Sequence, residues 1–455
     1  MKLSEKEYSH AKGGLREIVF LFFPILLMTF STCISLFVEK LLFARVSAEV
    51  MEVAVSATFA CQVLQGPCVA LAMMAQVYVG RWCGALEYRA IGPGVWQFIW
   101  FSCLSVVVVV PLSVLYGKFY FHGTHIEDMG LSYYYYLIGV GFLFPLGACL
   151  SCFFLGQKKV RLVLFVTIGS QLIKLLSAYF FILGVEGVFS GLGLIGGIIS
   201  TLIAQGGFCL VLFFVFINLK NTALFNSRAW HFQSKLFWEC IHPGLLRALN
   251  RILTFTSGAT VAQLMTVKGG DYLLIFSIGG TLFIFLPFLG EAICQAQTTL
   301  VSQIIGAKAY LLLRNAFKSG LFLTAVIVAI VGIPLVWFYA DAFYFLFPGI
   351  ELDETAIQKI FLGIWLSFAF FAFGFVPLGY VLAFKDTRFL FFMGGINWIN
   401  GFLLVYVAIE KVHIEADQFW LVLSFMHFST FILYLWRMRW LQSRELAAFS
   451  QANSL

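Results

Sequence analysis

Four ionised side chains stand in or at the ends of apolar runs, where a charge needs a partner: Glu39, Lys174, Arg251 and Glu291. A carboxyl turned into poorly hydrated protein could load and release a proton, and an ammonium beside it would pair with its charged form. An unpaired lysine at the middle of a spanning helix costs about 2.5–3.5 kcal/mol. Lys174 should therefore face protein and find an acid. At helical spacing Glu39 shares a face with Ser31 and Ser35, and Lys174 with Thr167, Gln171 and Ala178. Axial counting at 1.5 Å per residue puts Glu39 roughly 10 Å further outward than Lys174. A direct pair then needs a bent helix or the full reach of the lysine; the alternative is an interfacial Glu39 paired with Lys40 or Arg45.

The second pair of charges poses the same question. Arg247, Arg251, Thr254 and Gly258 share one helical face, and Glu291, Gln295, Thr298 and Ser302 share another. An Arg251–Glu291 pair would let both charges be buried; alternatively Arg251 snorkels to the nearer surface. Amides form further polar stripes: Gln62, Gln65 and Gln76 on one run, Asn397 and Asn400 on another. With Gln171, Asn250 and Gln295 they are the candidates for contact with substrate, although such stripes also tie helices together.

Other patterns carry less. Gly191, Gly193 and Gly196 spell GxGxxG, but no strand precedes them and no acid follows at the right distance, so they read as packing or hinge glycines. His427 is alone in its run and reads as packing. The ten cysteines, among them Cys33, Cys61, Cys103, Cys149 and Cys209 inside apolar runs, read as small buried thiols rather than a disulfide framework. No convergent His, Asp or Ser set and no metal cluster is evident, so the expectation is no enzyme, no metal and no cofactor.

The elements that must hold these groups follow from composition. Of 455 residues, 61% are apolar and 11% are charged, phenylalanine supplies 53, and the mean hydropathy is +0.94. A soluble fold cannot hide that surface, so the chain reads as all-α and polytopic. Apolar runs fall near 18–42, 53–79, 95–116, 132–155, 162–183, 191–217, 244–267, 273–303, 317–340, 356–383, 389–409 and 418–436. Each is long enough to cross a bilayer, which takes about 20 residues. With the N-terminus taken as inside, 21 of the 29 lysines and arginines, Lys2, Lys6 and Lys12 among them, fall in inner segments and 6 in outer ones. That asymmetry predicts an inner-membrane protein with both termini cytoplasmic. Glu351, Asp353 and Glu354 gather in one outer loop. The net charge of +7 is then a topology signal and not a nucleic-acid site. The bilayer and a small molecule are the expected partners, and a monomer suffices.

A loop at 218–243 divides a six-helix lobe (1–217) from a second (244–440), with a cytoplasmic tail at 441–455. The halves echo each other. Pro24-Ile-Leu-Leu matches Pro243-Gly-Leu-Leu, Val79-Gly-Arg-Trp-Cys-Gly-Ala matches Val301-Ser-Gln-Ile-Ile-Gly-Ala, and Pro145-Leu-Gly matches Pro377-Leu-Gly. Six spans per half give a parallel pseudo-twofold repeat about the membrane normal, a plan typical of transporters. Pro24, Pro67, Pro145, Pro287 and Pro377 bend spans, which suits rocking lobes but also occurs in rigid bundles.

Taken in order and spacing, these motifs resemble the multidrug and toxic compound extrusion (MATE) family of the multidrug/oligosaccharidyl-lipid/polysaccharide exporter superfamily. The resemblance runs through Gly84-Ala85, Gly306-Ala307, Gly191-Leu-Gly-Leu-Ile-Gly-Gly and Leu382-Ala-Phe-Lys-Asp-Thr-Arg388, and covers nearly the whole chain. It implies a secondary antiporter that exports amphipathic compounds by alternating access in exchange for protons or sodium ions, with protons the expected coupling ion here. The alternative is a flippase-like transporter of a lipid-linked or anionic substrate. By the same resemblance Glu39 stands where the family often places an ion-coupling Asp. Lys174 and Ala178 stand where relatives carry an Asn and an Asp of the cation site. Arg251 replaces a Glu that binds cations in some members, and Phe371 replaces the span-10 Asp. A sodium site in the second lobe thus looks dismantled.

Overall fold

The computed structural model describes residues 13–452 except 186, 188, 284 and 351. Lys2, Lys6, Lys12 and Glu351, used in the charge argument, lie outside the described residues. Seventeen α-helices are described. In the first part of the chain they are α1 (Leu15–Val46), α2 (Ala48–Ala72), α3 (Met74–Gly84), α4 (Tyr88–Phe121), α5 (Glu127–Val140), α6 (Leu143–Gly156), α7 (Val160–Leu183), α8 (Leu194–Phe216), α9 (Leu219–Phe225) and α10 (Ser234–Lys268). They continue as α11 (Gly270–Leu282), α12 (Leu286–Gly306), α13 (Leu313–Gly332), α14 (Tyr339–Leu346), α15 (Glu354–Ala383), α16 (Thr387–Glu410) and α17 (Phe419–Ala452). The strands β1 (Gly184–Val185) and β2 (Phe189–Ser190) pair antiparallel between α7 and α8.

Among the described residues ten helical stretches are long and apolar enough to cross a membrane, two of them broken spans made of α2 with α3 and of α5 with α6. The pair α11 and α12, bent by 45° at the break between them, makes an eleventh when counted as one span. The 35-residue α10 has the length but not the hydropathy, because Arg247, Asn250, Arg251, Thr254, Thr256 and Ser257 crowd one stretch of it. The stretch 218–243, expected as a loop, contains α9 and the first ten residues of α10.

Broken spans free carbonyls that water cannot reach, and side chains satisfy them. At the α5–α6 break Gln65 Nε2 donates to Leu137 O at 3.5 Å, and Gln205 Nε2 to Leu143 O at 3.1 Å. Cys209 Sγ also donates to Leu143 O, at 3.3 Å. At the α2–α3 break Cys152 Sγ lies 3.7 Å from Met73 O.

One turn recurs four times, after α3, α6, α12 and α15. Leu86, Lys158, Lys308 and Lys385 each take a positive φ, between 56° and 63°. In each turn the next residue's N–H reaches back five positions: Glu87 to Trp82, Lys159 to Phe154, Ala309 to Ile304 and Asp386 to Val381, at 2.9–3.1 Å. This is the Schellman closure, which normally uses glycine at the left-handed position. Its recurrence after α3 and α12, and after α6 and α15, is a backbone echo of the sequence repeat.

The chain divides into two compact units. The first is Pro24–Ile252; the second is Met1–Phe23 with Leu253–Leu455. The core of the first gathers Phe43, Val53, Ala57, Phe121, Tyr134 and Ile182. That of the second gathers Phe343, Phe361, Ile364, Phe419 and Trp420. The start of α1 belongs to the second unit, where Gly13 O accepts from Ser319 Oγ at 3.1 Å. The start of α10 belongs to the first, where Glu239 O accepts from Tyr78 OH at 2.5 Å.

Candidate ion and substrate site

In the first unit Glu39 Oε2 and Lys174 Nζ lie 2.8 Å apart, each side chain 12% exposed. The register between α1 and α7 explains how they meet. One contact lower, Gln171 Nε2 donates to Thr32 Oγ1 at 3.5 Å. From that point α1 climbs seven residues to Glu39, while α7 climbs only three to Lys174. The difference in rise is about 6 Å at 1.5 Å per residue, which is the length of an extended lysine stem.

The surroundings are mostly dry. Ser35, one turn below Glu39, is fully buried and its hydroxyl has no partner. Tyr133 of α5 lies within electrostatic reach of Glu39 and packs edge-on against Phe43, ring centroids 6.3 Å apart. Ala178, one turn above Lys174, is fully buried in the same apolar cluster. Lys40 is turned away to the Phe59 ring, 5.9 Å from its centroid. A charge pair in such surroundings is held together by mutual need, because either ion alone would carry its full desolvation cost.

The remaining candidates are distributed around the two units. In the first unit Arg247 Nη1 lies 3.6 Å from Met74 Sδ, at the α2–α3 break. Asn250 is half-buried and Arg251 exposed on the same helix. Gln62 is exposed, whereas Gln65 and Gln76 are buried. In the second unit Glu291 and Gln295 are half-buried on α12. Asn397 and Asn400 are half-buried on α16, and Asn397 Oδ1 accepts from Thr430 Oγ1 of α17 at 2.8 Å.

Phe371 on α15 joins an aromatic stack. His427 lies parallel to Phe283 at 6.2 Å and edge-on to Phe371 at 5.2 Å, while Phe283 also stacks on Trp420 at 5.0 Å. Cys149 and Cys152 have the Cys-x-x-Cys spacing, which the reading of the ten cysteines as small buried thiols did not single out. Their sulfurs approach different carbonyls, Val95 O and Met73 O, and all ten cysteines are free thiols.

Several ion pairs escaped the sequence because both members looked like ordinary loop or helix-end charges. Lys359 Nζ lies 2.7 Å from Asp417 Oδ2 and 3.5 Å from Glu415 Oε2. Lys268 pairs with Glu410. Arg437 Nε donates to Asp386 Oδ2 at 2.6 Å, with its guanidinium over the rings of Trp440 (4.2 Å) and Phe389 (5.3 Å). Gln297 was also missed: fully buried, it donates from Nε2 to Ala316 O at 3.1 Å.

No protein-family model matches the sequence, and no curated protein matches it. Solved structures do. An outward-facing multidrug resistance MATE family transporter of the MOP superfamily aligns over 98% of this chain and 99% of its own, with TM-score 0.85 and 11% identity. A MOP superfamily transporter from Pyrococcus furiosus, described as having a binding pocket of reverse polarity, covers the same shares with TM-score 0.83 and 12% identity. The eukaryotic MATE transporter AtDTX14 aligns over 94% of this chain and 98% of its own, with TM-score 0.77 and 16% identity. The chain therefore has the fold of the MATE transporters, in which twelve helices form two lobes.

Proposed function

We propose that this chain is a secondary active transporter that carries amphipathic organic compounds out of the cell by alternating access, coupled to protons. The observation that carries this reading is the Glu39–Lys174 pair on α1 and α7, at 2.8 Å in mostly apolar surroundings. Protonation of Glu39 would dissolve the pair and leave Lys174 to seek another partner, so α1 and α7 would prefer a different packing in each protonation state. Coupling requires such a difference between states. The tethered ammonium fills the place a free cation would take, which argues against sodium.

The test is transport of a fluorescent amphipathic cation in proteoliposomes under imposed proton or sodium gradients. The expected result is transport driven by the proton gradient, unaffected by sodium and lost in Glu39→Gln. Equal transport by that variant would remove Glu39 from the mechanism, and transport driven by sodium alone would overturn the coupling.

A second reading is favoured by the basic groups of the first unit, Lys174, Arg247 and Arg251, and by the likeness to the transporter described as having a pocket of reverse polarity. On that reading the substrate is anionic or lipid-linked and the cations receive its phosphate or carboxylate. Competition of organic anions against organic cations for binding separates the two.

A further inference from the structure

The stretch between α8 and α10 is held along one helix of the first unit. Trp96 Nε1 donates to Ser227 O at 2.7 Å, and Trp100 Nε1 to Trp230 O at 2.9 Å. Between them Gln97 makes two bonds, from Nε2 to His231 O at 3.2 Å and to Oε1 from Gln233 N–H at 3.3 Å. Gly92 lets the chain approach: a Cβ there would meet the carbonyl oxygens of Phe225 and Asn226 at 2.4 Å. Residues 226–233 are thus a strap with its backbone hydrogen bonds turned onto α4.

That fastening leaves most of the strap's side chains facing outward, Ser227 excepted. Trp230 and Trp238 are each 57% exposed, Phe232 is 51% exposed, and Leu219 on α9 is 76% exposed. The bonds to Trp230 and His231 use their carbonyls, so the strap is held independently of its rings. Lys220, Arg228 and Lys235 are exposed among these apolar groups, and Glu239 is the only acid between 218 and 243. The strap follows the short helix α9, which itself comes directly after a membrane-spanning helix, α8, at the end of the chain's spans where the basic loops gather. Exposed aromatic rings interleaved with basic residues beside a span are what the headgroup layer of an anionic bilayer accommodates: rings at the acyl boundary, ammonium and guanidinium groups at the phosphates.

We propose that this strap, with Lys220 of α9 and Lys235 and Trp238 of α10 flanking it, is a seat for anionic phospholipid headgroups of the adjoining leaflet. Its rigid attachment to α4 means that the lipid is bound by a preformed surface, without ordering a flexible loop. Each basic residue near an anionic surface is worth about fivefold in affinity, so three together are worth about a hundredfold.

The test uses the full-length protein in nanodiscs of phosphatidylcholine with and without phosphatidylglycerol. Retention of phosphatidylglycerol against exchange is compared for the native protein, the triple variant K220Q/R228Q/K235Q, and the control R45Q/K118Q/K411Q, which removes equal charge elsewhere. The expected result is a loss of about a hundredfold in the strap variant and none in the control. A second readout is quenching of tryptophan emission by brominated phosphatidylglycerol, which W230F/W238F should reduce. Undiminished retention by the strap variant, equal loss in the control, or unchanged quenching in W230F/W238F, as when a protein partner covers the strap, would each overturn the proposal.

Discussion

Lys174 reaches Glu39 across two helices that rise side by side, and the lysine stem makes up the difference between two turns of α1 and one turn of α7. Neither ion has a second charged partner within salt-bridge distance among the described residues. Removing one member should therefore cost more than removing both. Glu39→Leu or Lys174→Met alone should destabilise by about 3–5 kcal/mol, and the double variant should recover most of that loss. Thermal unfolding of the four proteins in one detergent gives the coupling directly, and additive losses would mean that the pair contributes nothing as a pair.

Gly141 sits against the amide that mends the α5–α6 break: a Cβ there would lie 1.6 Å from Gln65 Nε2. Gly141→Ala should push Gln65 off Leu137 O and cost about 1–3 kcal/mol. In a Gln65→Ala background the same substitution should cost much less. Chemical unfolding of the single and double variants measures this; equal costs in both backgrounds would show that Gln65 is not what Gly141 accommodates.

Leu86 closes its turn in the left-handed region with φ 61° and an exposed side chain. Glycine removes the Cβ penalty there and returns part of it as unfolded-state entropy. Leu86→Gly should stabilise by about 0.5–1 kcal/mol, and Leu86→Val should destabilise. A fall in the melting midpoint of the glycine variant would contradict the turn geometry.

Arg437 bonds Asp386, the N-cap of α16, while lying over two aromatic rings. Lysine keeps the charge but loses the planar contact, so Arg437→Lys should cost about 1–2 kcal/mol. By contrast, the more exposed Lys268–Glu410 pair should contribute little to stability and fade with salt. Unfolding at low and high ionic strength distinguishes the two behaviours.

Phe371 offers a test of the second unit. Phe371→Asp would put a carboxylate into the stack of Phe283 and His427. The variant should be destabilised by several kcal/mol and should bind no sodium, because an isolated buried carboxylate without the other ligands is a cost and not a site. Sodium-dependent stabilisation of this variant, read as a rise in melting midpoint, would show that the second unit retains a latent cation site.

The amino-acid order alone determined the class of solvent, the helical state, the number of crossings within the reach of α10, and the internal repeat. These follow from local quantities: run length, charge spacing and the rule that backbone in lipid must bond to itself. Even the polar character of α10 is readable at Arg247, Asn250 and Arg251. Helical faces also singled out Glu39 and Lys174, but not their meeting, because axial counting treats side chains as points on their own helices. Only the packing of α1 on α7 brought Gln171 to Thr32 and so Lys174 to Glu39. Tertiary structure likewise assigned Gln65 to a broken helix, joined Arg437 to Asp386 over fifty residues away, and fastened the 218–243 stretch to α4. Each of those outcomes depends on which distant backbone groups are left without a partner, and that is a property of packed neighbours rather than of sequence spacing.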